Sequence, residues 1–434
     1  MRSYKGTLEF LESFVNYEKT GFDVFKKAVS LDNLRGTLKD LGSPEGSFRS
    51  LHVAGTKGKG SICTFASSIL KETGHKTGLF TSPHLARPNE RIKINGESIT
   101  PEDLTNTVDY LKDAIGPINI RKLTFFEIYT LMAIVYFNTK GVDFAVFETG
   151  IGGRLDATNV IDAEVSAISP ISYDHTQVLG NTIGKIAAEK AAIIKNKSCC
   201  ISSPQEEEAL RVIIDRCAET SSTMFLVGKD INYKIKSSDE SGNSFNLYTS
   251  YAVYDNCNTR LVGEFQVANS AAAVGMCEEI LKNVKYSQIA FKRGIQNAFI
   301  EARLEILSRS PLIVIDGAQN TASAAVLRTS VRKIFKYDRL ILILGLCQDK
   351  DIAGVCGELA PCSDEIILTR SSAKRAASPH LIRGYVMDRQ VQITDDVKEA
   401  LGRALLLAGK GDMILTAGSF FVAGEVRQLI LGKT

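Results

Sequence analysis

No stretch of this sequence is apolar for long enough to span a bilayer, and no apolar signal core follows the charged start Met1-Arg2-Ser3-Tyr4-Lys5-Gly6. Neither sign of charge dominates: 52 basic and 49 acidic residues leave a formal net charge of +3. That balance argues against a nucleic-acid or membrane-surface partner, and aromatic residues are not interleaved with basic clusters. Nine cysteines form no C-x-x-C pair and have no zinc-type spacing with the five histidines. An odd, scattered set, with Cys63 and Cys277 in apolar context, reads as free thiols in a reducing compartment. Low-complexity tracts, repeats and long linkers are absent. A cytoplasmic enzyme is expected.

The 434 residues, 44% hydrophobic and 23% charged, are material for two or three domains with sizeable cores. Strand-like runs at Leu51–Ala54, Thr77–Thr81, Val142–Glu148 and Glu164–Ser169 alternate with helical patterns such as Phe125–Asn138 and Ile183–Lys195. Such alternation predicts an α/β fold with a doubly wound, mostly parallel sheet. From Met224 the texture changes: Ile231–Ile235 and Ser244–Tyr248 flank Glu240-Ser241-Gly242-Asn243, predicting a small antiparallel hairpin appended to that sheet. Phe265–Leu281 and Ser287–Phe299 read as helices. A second βα series follows at Leu312–Ile315, Leu340–Leu344, Glu365–Thr369, Gln390–Thr394 and Met413–Thr416. It predicts a smaller, Rossmann-like C-terminal domain, with the boundary near Ile300–Arg303. The expected division is 1–299 and 300–434, with a ligand cleft between them.

The most telling segment follows the first run. Leu51–Ala54 breaks into Gly55-Thr56-Lys57-Gly58-Lys59-Gly60-Ser61, then into a helical pattern of Ile62, Phe65, Ala66, Ile69 and Leu70. Glycines let backbone N–H groups converge on anionic oxygens, a helix N-terminus adds positive potential, and Lys59 reaches terminal phosphates. The loop departs from G-x-x-x-x-G-K-[ST] by the extra Gly60 between lysine and serine. A nucleoside triphosphate is the expected ligand. Glu148 ends an apolar strand at the carboxyl edge where doubly wound sheets bind ligands, and suits a hard Mg²⁺ ion. Other residues read two ways: Asp174-His175 as a capping pair, Lys190 as a surface helix lysine, and Arg303 as a phosphate clamp or an interdomain ion pair.

These residues resemble one family along nearly the whole chain: folylpolyglutamate synthase and dihydrofolate synthase, within the Mur ligase superfamily. The resemblance rests on Ala54–Ser61, Phe80-Thr81-Ser82-Pro83-His84-Leu85 with Asn89-Glu90-Arg91-Ile92, and Phe147–Asn159. It continues through Asp174-His175, Glu189-Lys190-Ala191, Asp316-Gly317-Ala318-Gln319-Asn320 and Gly418-Ser419-Phe420. It implies a P-loop ATPase-like, ATP-binding domain at 1–299, a glutamate ligase domain at 300–434, and an ATP-driven amide ligation in which a pterin or folate carboxylate becomes an acyl phosphate that the L-glutamate amine attacks. Lys59, Glu148, His175 and Lys190 would be catalytic. Ser82 and Glu148 would hold one magnesium and His175 another, with Lys190 carbamylated. Nucleotide contacts would come from Gly55, Thr56, Lys57, Gly58, Lys59, Gly60, Ser61, Asn269, Arg303, Asp316 and Gln319. The acid substrate would meet Ser82, Pro83, His84, Arg91, Arg154 and Asp156, although Arg154 and Asp156 also read as a mutually satisfied loop pair. The implied enzyme is a monomer with small-molecule partners alone.

Three positions depart from the family pattern. Gln319 and Thr321 stand where Asp-Gly-Ala-His-Asn-Pro is usual, so imidazole acid–base chemistry is lost at Gln319. Glu301-Ala302 replaces Pro-Gly before Arg303, and Lys57 replaces a frequent asparagine. Competing readings are another Mur-type amino-acid ligase acting on a non-folate acid, a nucleotide switch, a phosphotransferase and a non-catalytic folate binder. Lys59→Ala and Glu148→Ala should each abolish turnover while circular dichroism shows an intact fold. Wild-type rates from either variant would refute the site.

Overall fold

The computed structural model describes residues 3–16, 30–386 and 389–432, so Met1 and Arg2 of the N-terminal stretch lie outside it. Arg49–Ala54 (β1), Thr77–Phe80 (β2), Ile92–Ile94 (β3), Glu97–Ser98 (β4), Phe144–Glu148 (β5), Val165–Ile168 (β6), Cys199–Ser202 (β7) and Thr223–Leu226 (β8) form one sheet. Its order is β4-β3-β2-β5-β1-β6-β7-β8. Pairing is parallel from β2 through β8, and β3 and β4 complete one edge antiparallel. Alternation along β5 shows why the sheet is covered on both faces. Phe144 and Val146 pack with the Lys59–Glu72 and Phe265–Leu281 helices, while Ala145 and Phe147 pack with the Phe125–Lys140 helix.

Asn232–Asp239 (β9), Gly242–Tyr248 (β10) and Val253–Thr259 (β11) form a separate antiparallel sheet, ordered β11-β10-β9. The expected antiparallel hairpin is β9–β10; a third strand, β11, extends it, and the small sheet packs on helices rather than continuing the large one. Phe265–Leu281 lies between the two sheets, which is why it is apolar all round. Its buried Glu278 accepts from Thr249 Oγ1 at 2.8 Å and Tyr254 Oη at 2.9 Å, and Glu279 accepts from Tyr251 Oη at 2.6 Å.

Glu305–Arg309 (β12), Leu312–Ile315 (β13), Leu340–Leu344 (β14), Glu365–Leu368 (β15), Val391–Ile393 (β16) and Met413–Ala417 (β17) form the third sheet, ordered β12-β13-β17-β14-β15-β16. All of its pairs are parallel except β12 with β13. Leu342 and Leu415 face one helical layer, Ile343 and Ile414 the other. Sequence pattern missed β3, β4, β7, β8, β11 and β12, all of them short or at sheet edges. The Ile183 helix also ends at Ala191, short of the expected Lys195.

Glu278 supplies a stability test. Burial pushes its carboxyl up to about 7, with Glu279 adding to this and the Thr249 and Tyr254 bonds opposing it. A carboxyl raised on folding contributes fully at low pH and loses that contribution as pH rises toward 7. Glu278→Gln should therefore raise the unfolding free energy measured in urea at pH 8 by about 2 kcal/mol. The gain should shrink toward pH 5, and a pH-independent difference would contradict this reading.

Candidate functional site

The carboxyl ends of β1, β5, β6, β13 and β14 open on one cavity of about 970 Å³, lined by residues of both the large and the six-stranded sheet regions. Strand ends converge there because parallel crossovers place every following loop on the same edge. After β1, Gly55 (φ +146°) and Gly58 (φ +87°) take backbone angles that a side chain resists. Thr56 N and Lys57 N donate to Pro170 O at 3.1 and 3.3 Å, and Thr56 Oγ1 donates to Ser172 O at 3.1 Å. These bonds pin the loop to the end of β6. No side chain caps the Lys59–Glu72 helix, so its first turn is left for an anion. Thr56 through Ser61 line the cavity; Gly55 lies behind its wall.

Glu148 ends β5 at 6% exposure and accepts from Ser82 N at 3.1 Å. A Cβ added to Gly60 would sit 3.4 Å from Glu148 Oε2, so the carboxylate lies directly against the loop. Burial raises its pKa, and Lys59, the Ser82 N–H, Arg303 and Arg91 pull it back. After β6, Asp174 accepts from His175 N at 3.0 Å, and His175 lines the cavity. Burial holds the imidazole down at about 4, with Lys350, Lys190 and Lys59 adding to the effect and Asp174 opposing it. His175 is neutral at neutral pH, the form that ligates metal.

Lys190 is no surface lysine. It is 4% exposed, and its Nζ donates to Gly55 O at 2.7 Å, behind the cavity wall. Burial first, then Lys59, lowers its pKa to about 7, against Asp174 and Asp156. Among the described residues, no three His, Cys, Asp or Glu side chains gather tightly enough to hold a metal alone. A buried carboxylate beside a phosphate loop, with a neutral imidazole opposite, still fits Mg²⁺, whose other ligands are phosphate oxygens and water.

From the other side, Arg303 stacks its guanidinium over Phe420 at 4.5 Å. Its neighbours Ala302 (φ +52°) and Leu304 (φ +46°) are both left-handed. Asp316 holds this turn, accepting from Leu304 N at 2.9 Å and Ala318 N at 2.8 Å. Asp316 and Gln319 line the cavity, as does Asn269, whose Nδ2 donates to Gln266 Oε1 at 3.0 Å.

The remaining wall is apolar and aromatic. Ser82, Pro83, His84 and Arg91 line it with Leu123, Phe125, Phe126 and Tyr129. Arg91, 1% exposed, donates from Nε to His84 Nδ1 at 2.9 Å and sits over Phe125 and Tyr129 at 5.2 and 5.5 Å. Asp156 also lines the cavity. Arg154 does not: its side chain, 57% exposed, pairs with Glu189 Oε1 at 2.9 Å. This corrects its placement against substrate, and the pairing crosses 35 residues, beyond any local signal. Sequence reading passed over Phe126, Tyr129, Lys350 and Arg375, all of which line the cavity. Lys350 follows β14, so the strand-end rule that found Glu148 also points to it.

The sequence matches the Mur ligase middle domain over residues 53–277 and the Mur ligase, glutamate ligase domain over 302–420. It is 31% identical to the folylpolyglutamate synthase of Lacticaseibacillus casei over 99% of both chains. It is 30% identical to the dihydrofolate synthase/folylpolyglutamate synthase of Bacillus subtilis, over 92% of this chain and 94% of the relative. The fold superposes on E. coli FolC in complex with DHPP and ADP with a TM-score of 0.88 at 28% identity, covering 99% of this chain and 98% of that one. The Mycobacterium tuberculosis folylpolyglutamate synthase complexed with ADP gives 0.90, again at 28% identity, with coverage of 99% and 98%.

Gly58 tests the cradle. A Cβ there meets both the left-handed backbone and Asn269 Oδ1 at 2.6 Å. Gly58→Ala should weaken ATP binding about tenfold in calorimetry. Unchanged affinity would mean that the loop does not hold the nucleotide.

Proposed function

Because the chain belongs to the folylpolyglutamate synthase and dihydrofolate synthase family of Mur ligases, we propose a division of labour among its residues. The enzyme is an ATP-dependent ligase that joins L-glutamate to folate. One observation carries the assignment of roles: Lys59, Glu148 and Arg303 converge on a single cavity from β1, β5 and the turn before β12.

The triphosphate lies along Gly55–Ser61, with Lys59 and the helix N-terminus on its terminal oxygens and Arg303 closing from the opposite side. Asn269 packs over the loop at Gly58 and limits where the nucleotide sits. The pterin acid occupies the aromatic wall of Phe125, Phe126 and Tyr129, its carboxylate directed toward the γ-phosphate. Attack there gives an acyl phosphate and ADP; the glutamate amine then adds to the activated carbonyl and phosphate leaves. Arg303 and Lys59 offset the negative oxygens crowded at these steps. Lys350 and Arg375, cations on the far wall sharing Asp349 at 3.9 and 3.2 Å, suit the carboxylates of incoming glutamate. The apolar wall limits water, which would hydrolyse the acyl phosphate.

Ser82, Glu148 and His175 are the residues that would hold magnesium, and the ion would neutralise phosphate charge there. Lys190 is suited to carbamylation because an amine titrating near 7 is substantially neutral, the form that adds CO₂ with loss of a proton. The change would break its bond to the Gly55 carbonyl. A carbamate carbon signal under ¹³CO₂, lost in Lys190→Ala, supports this; an unmodified amine in an active sample refutes it. The free cysteines, all but Cys362 buried, support a reducing compartment such as the cytoplasm.

Incubation with MgATP, glutamate and either dihydropteroate or tetrahydrofolate, read by mass, tests the reaction. ADP release should require both glutamate and the pterin acid, with product heavier by one glutamyl residue. ADP formed at full rate without glutamate would favour a phosphotransferase or hydrolase instead.

A further inference from the structure

His52 stands in the middle of β1, three residues before the phosphate loop, and is fully buried. Its Nε2 lies 2.7 Å from Thr158 Oγ1. Thr158 in turn gives its hydroxyl proton to Asp156 Oδ1, and its backbone N–H donates to the same oxygen at 3.0 Å. Ile151 N donates to Asp156 Oδ2 at 2.9 Å. A hydroxyl carries one proton. Since that proton goes to the carboxylate, Thr158 Oγ1 can only accept from the ring, and His52 must be the Nε2–H tautomer. Its Nδ1 is then a bare acceptor, and it has no partner. Burial, with Lys195 adding, keeps the ring neutral.

A histidine serving only to fill the core would be a poor choice here. One buried ring nitrogen is unsatisfied, which destabilises the fold, while leucine would fill similar space without that cost. What histidine provides is the directed chain: ring N–H to hydroxyl, hydroxyl to carboxylate. That chain fixes the 3₁₀ turn Ala157–Val160 against β1 from one side, and Lys195 Nζ holds it from another by donating to Asn159 O at 3.0 Å. Asp156 and Ala157, the start of this segment, line the cavity.

We propose that His52 is a positioning residue for the acid substrate, acting through Thr158 to orient the Asp156 carboxylate toward N–H donors of the bound pterin ring. The inference rests on the reading that this cavity holds the pterin acid. A 2-aminopyrimidinone edge presents adjacent N–H donors, and an oriented carboxylate accepts from such an edge. The relay also ties the acid pocket to the strand that carries the phosphate loop.

The test separates positioning from packing. His52→Leu, which removes the unsatisfied nitrogen, should leave thermal stability equal to or above wild type. It should raise KM for the pterin acid roughly three- to tenfold, with KM for ATP unchanged. Thr158→Val should act in the same direction and guards against a misfolded leucine variant. His52→Gln places an amide donor near the position of Nε2 and should restore KM toward wild type. Wild-type KM for the pterin acid in both His52→Leu and Thr158→Val would overturn the inference. A separate arm checks its premise: if Asp156→Asn binds pteroate as tightly as wild type, the placement of the pterin fails instead.

Discussion

Cations that converge on one cavity from both sheet regions are the condition around which this molecule is arranged. Lys59, Arg303 and Arg91 lie near enough to buried Glu148 to draw its carboxyl down, and burial lowers both Lys190 and His175. Such a cluster is costly in a low-dielectric interior unless an anion completes it. The fold provides the place by aligning parallel strand ends, and the uncapped Lys59–Glu72 helix adds its positive terminus. A nucleotide's phosphate chain supplies that anion, and the relatives solved with ADP carry one.

The same condition explains the division into two sheet regions. Glu148 and Lys59 belong to the large sheet, whereas Arg303 enters beside the six-stranded one, on a turn in which Ala302 and Leu304 both adopt left-handed angles. Asp316 Oδ2 satisfies the backbone of that turn at Leu304 N while Oδ1 accepts from Ala318 N in its own loop, and Phe420 supports the guanidinium from beneath. Asp316 also lines the cavity, and the Arg303 guanidinium draws its carboxyl down against burial. Ala302 stands where the family pattern has glycine, so the turn keeps its shape with a less permissive residue.

Much of this was legible in the sequence, and the remainder was not for identifiable reasons. The loop Gly55–Ser61, the strand end at Glu148 and the βα series after Leu312 are local patterns, and local patterns carry spacing. Lys190 read as a surface residue because its helix looks amphipathic in isolation; only tertiary packing against β1 buries it. Arg154 found Glu189, a partner no window around either residue contains. β11, Val-Tyr-Asp-Asn-Cys-Asn-Thr, is polar because one face of the small sheet is solvated, so its alternation is weak. The role of His52 was hidden for a related reason: Thr158 lies 106 residues away.

The most direct measurement is a structure of the enzyme with a non-hydrolysable ATP analogue and magnesium. The account predicts the triphosphate along Gly55–Ser61, its terminal phosphate between Lys59 and Arg303 and within reach of Glu148 through the ion. A nucleotide bound elsewhere, or Arg303 still on Phe420 and remote from every phosphate, would contradict it.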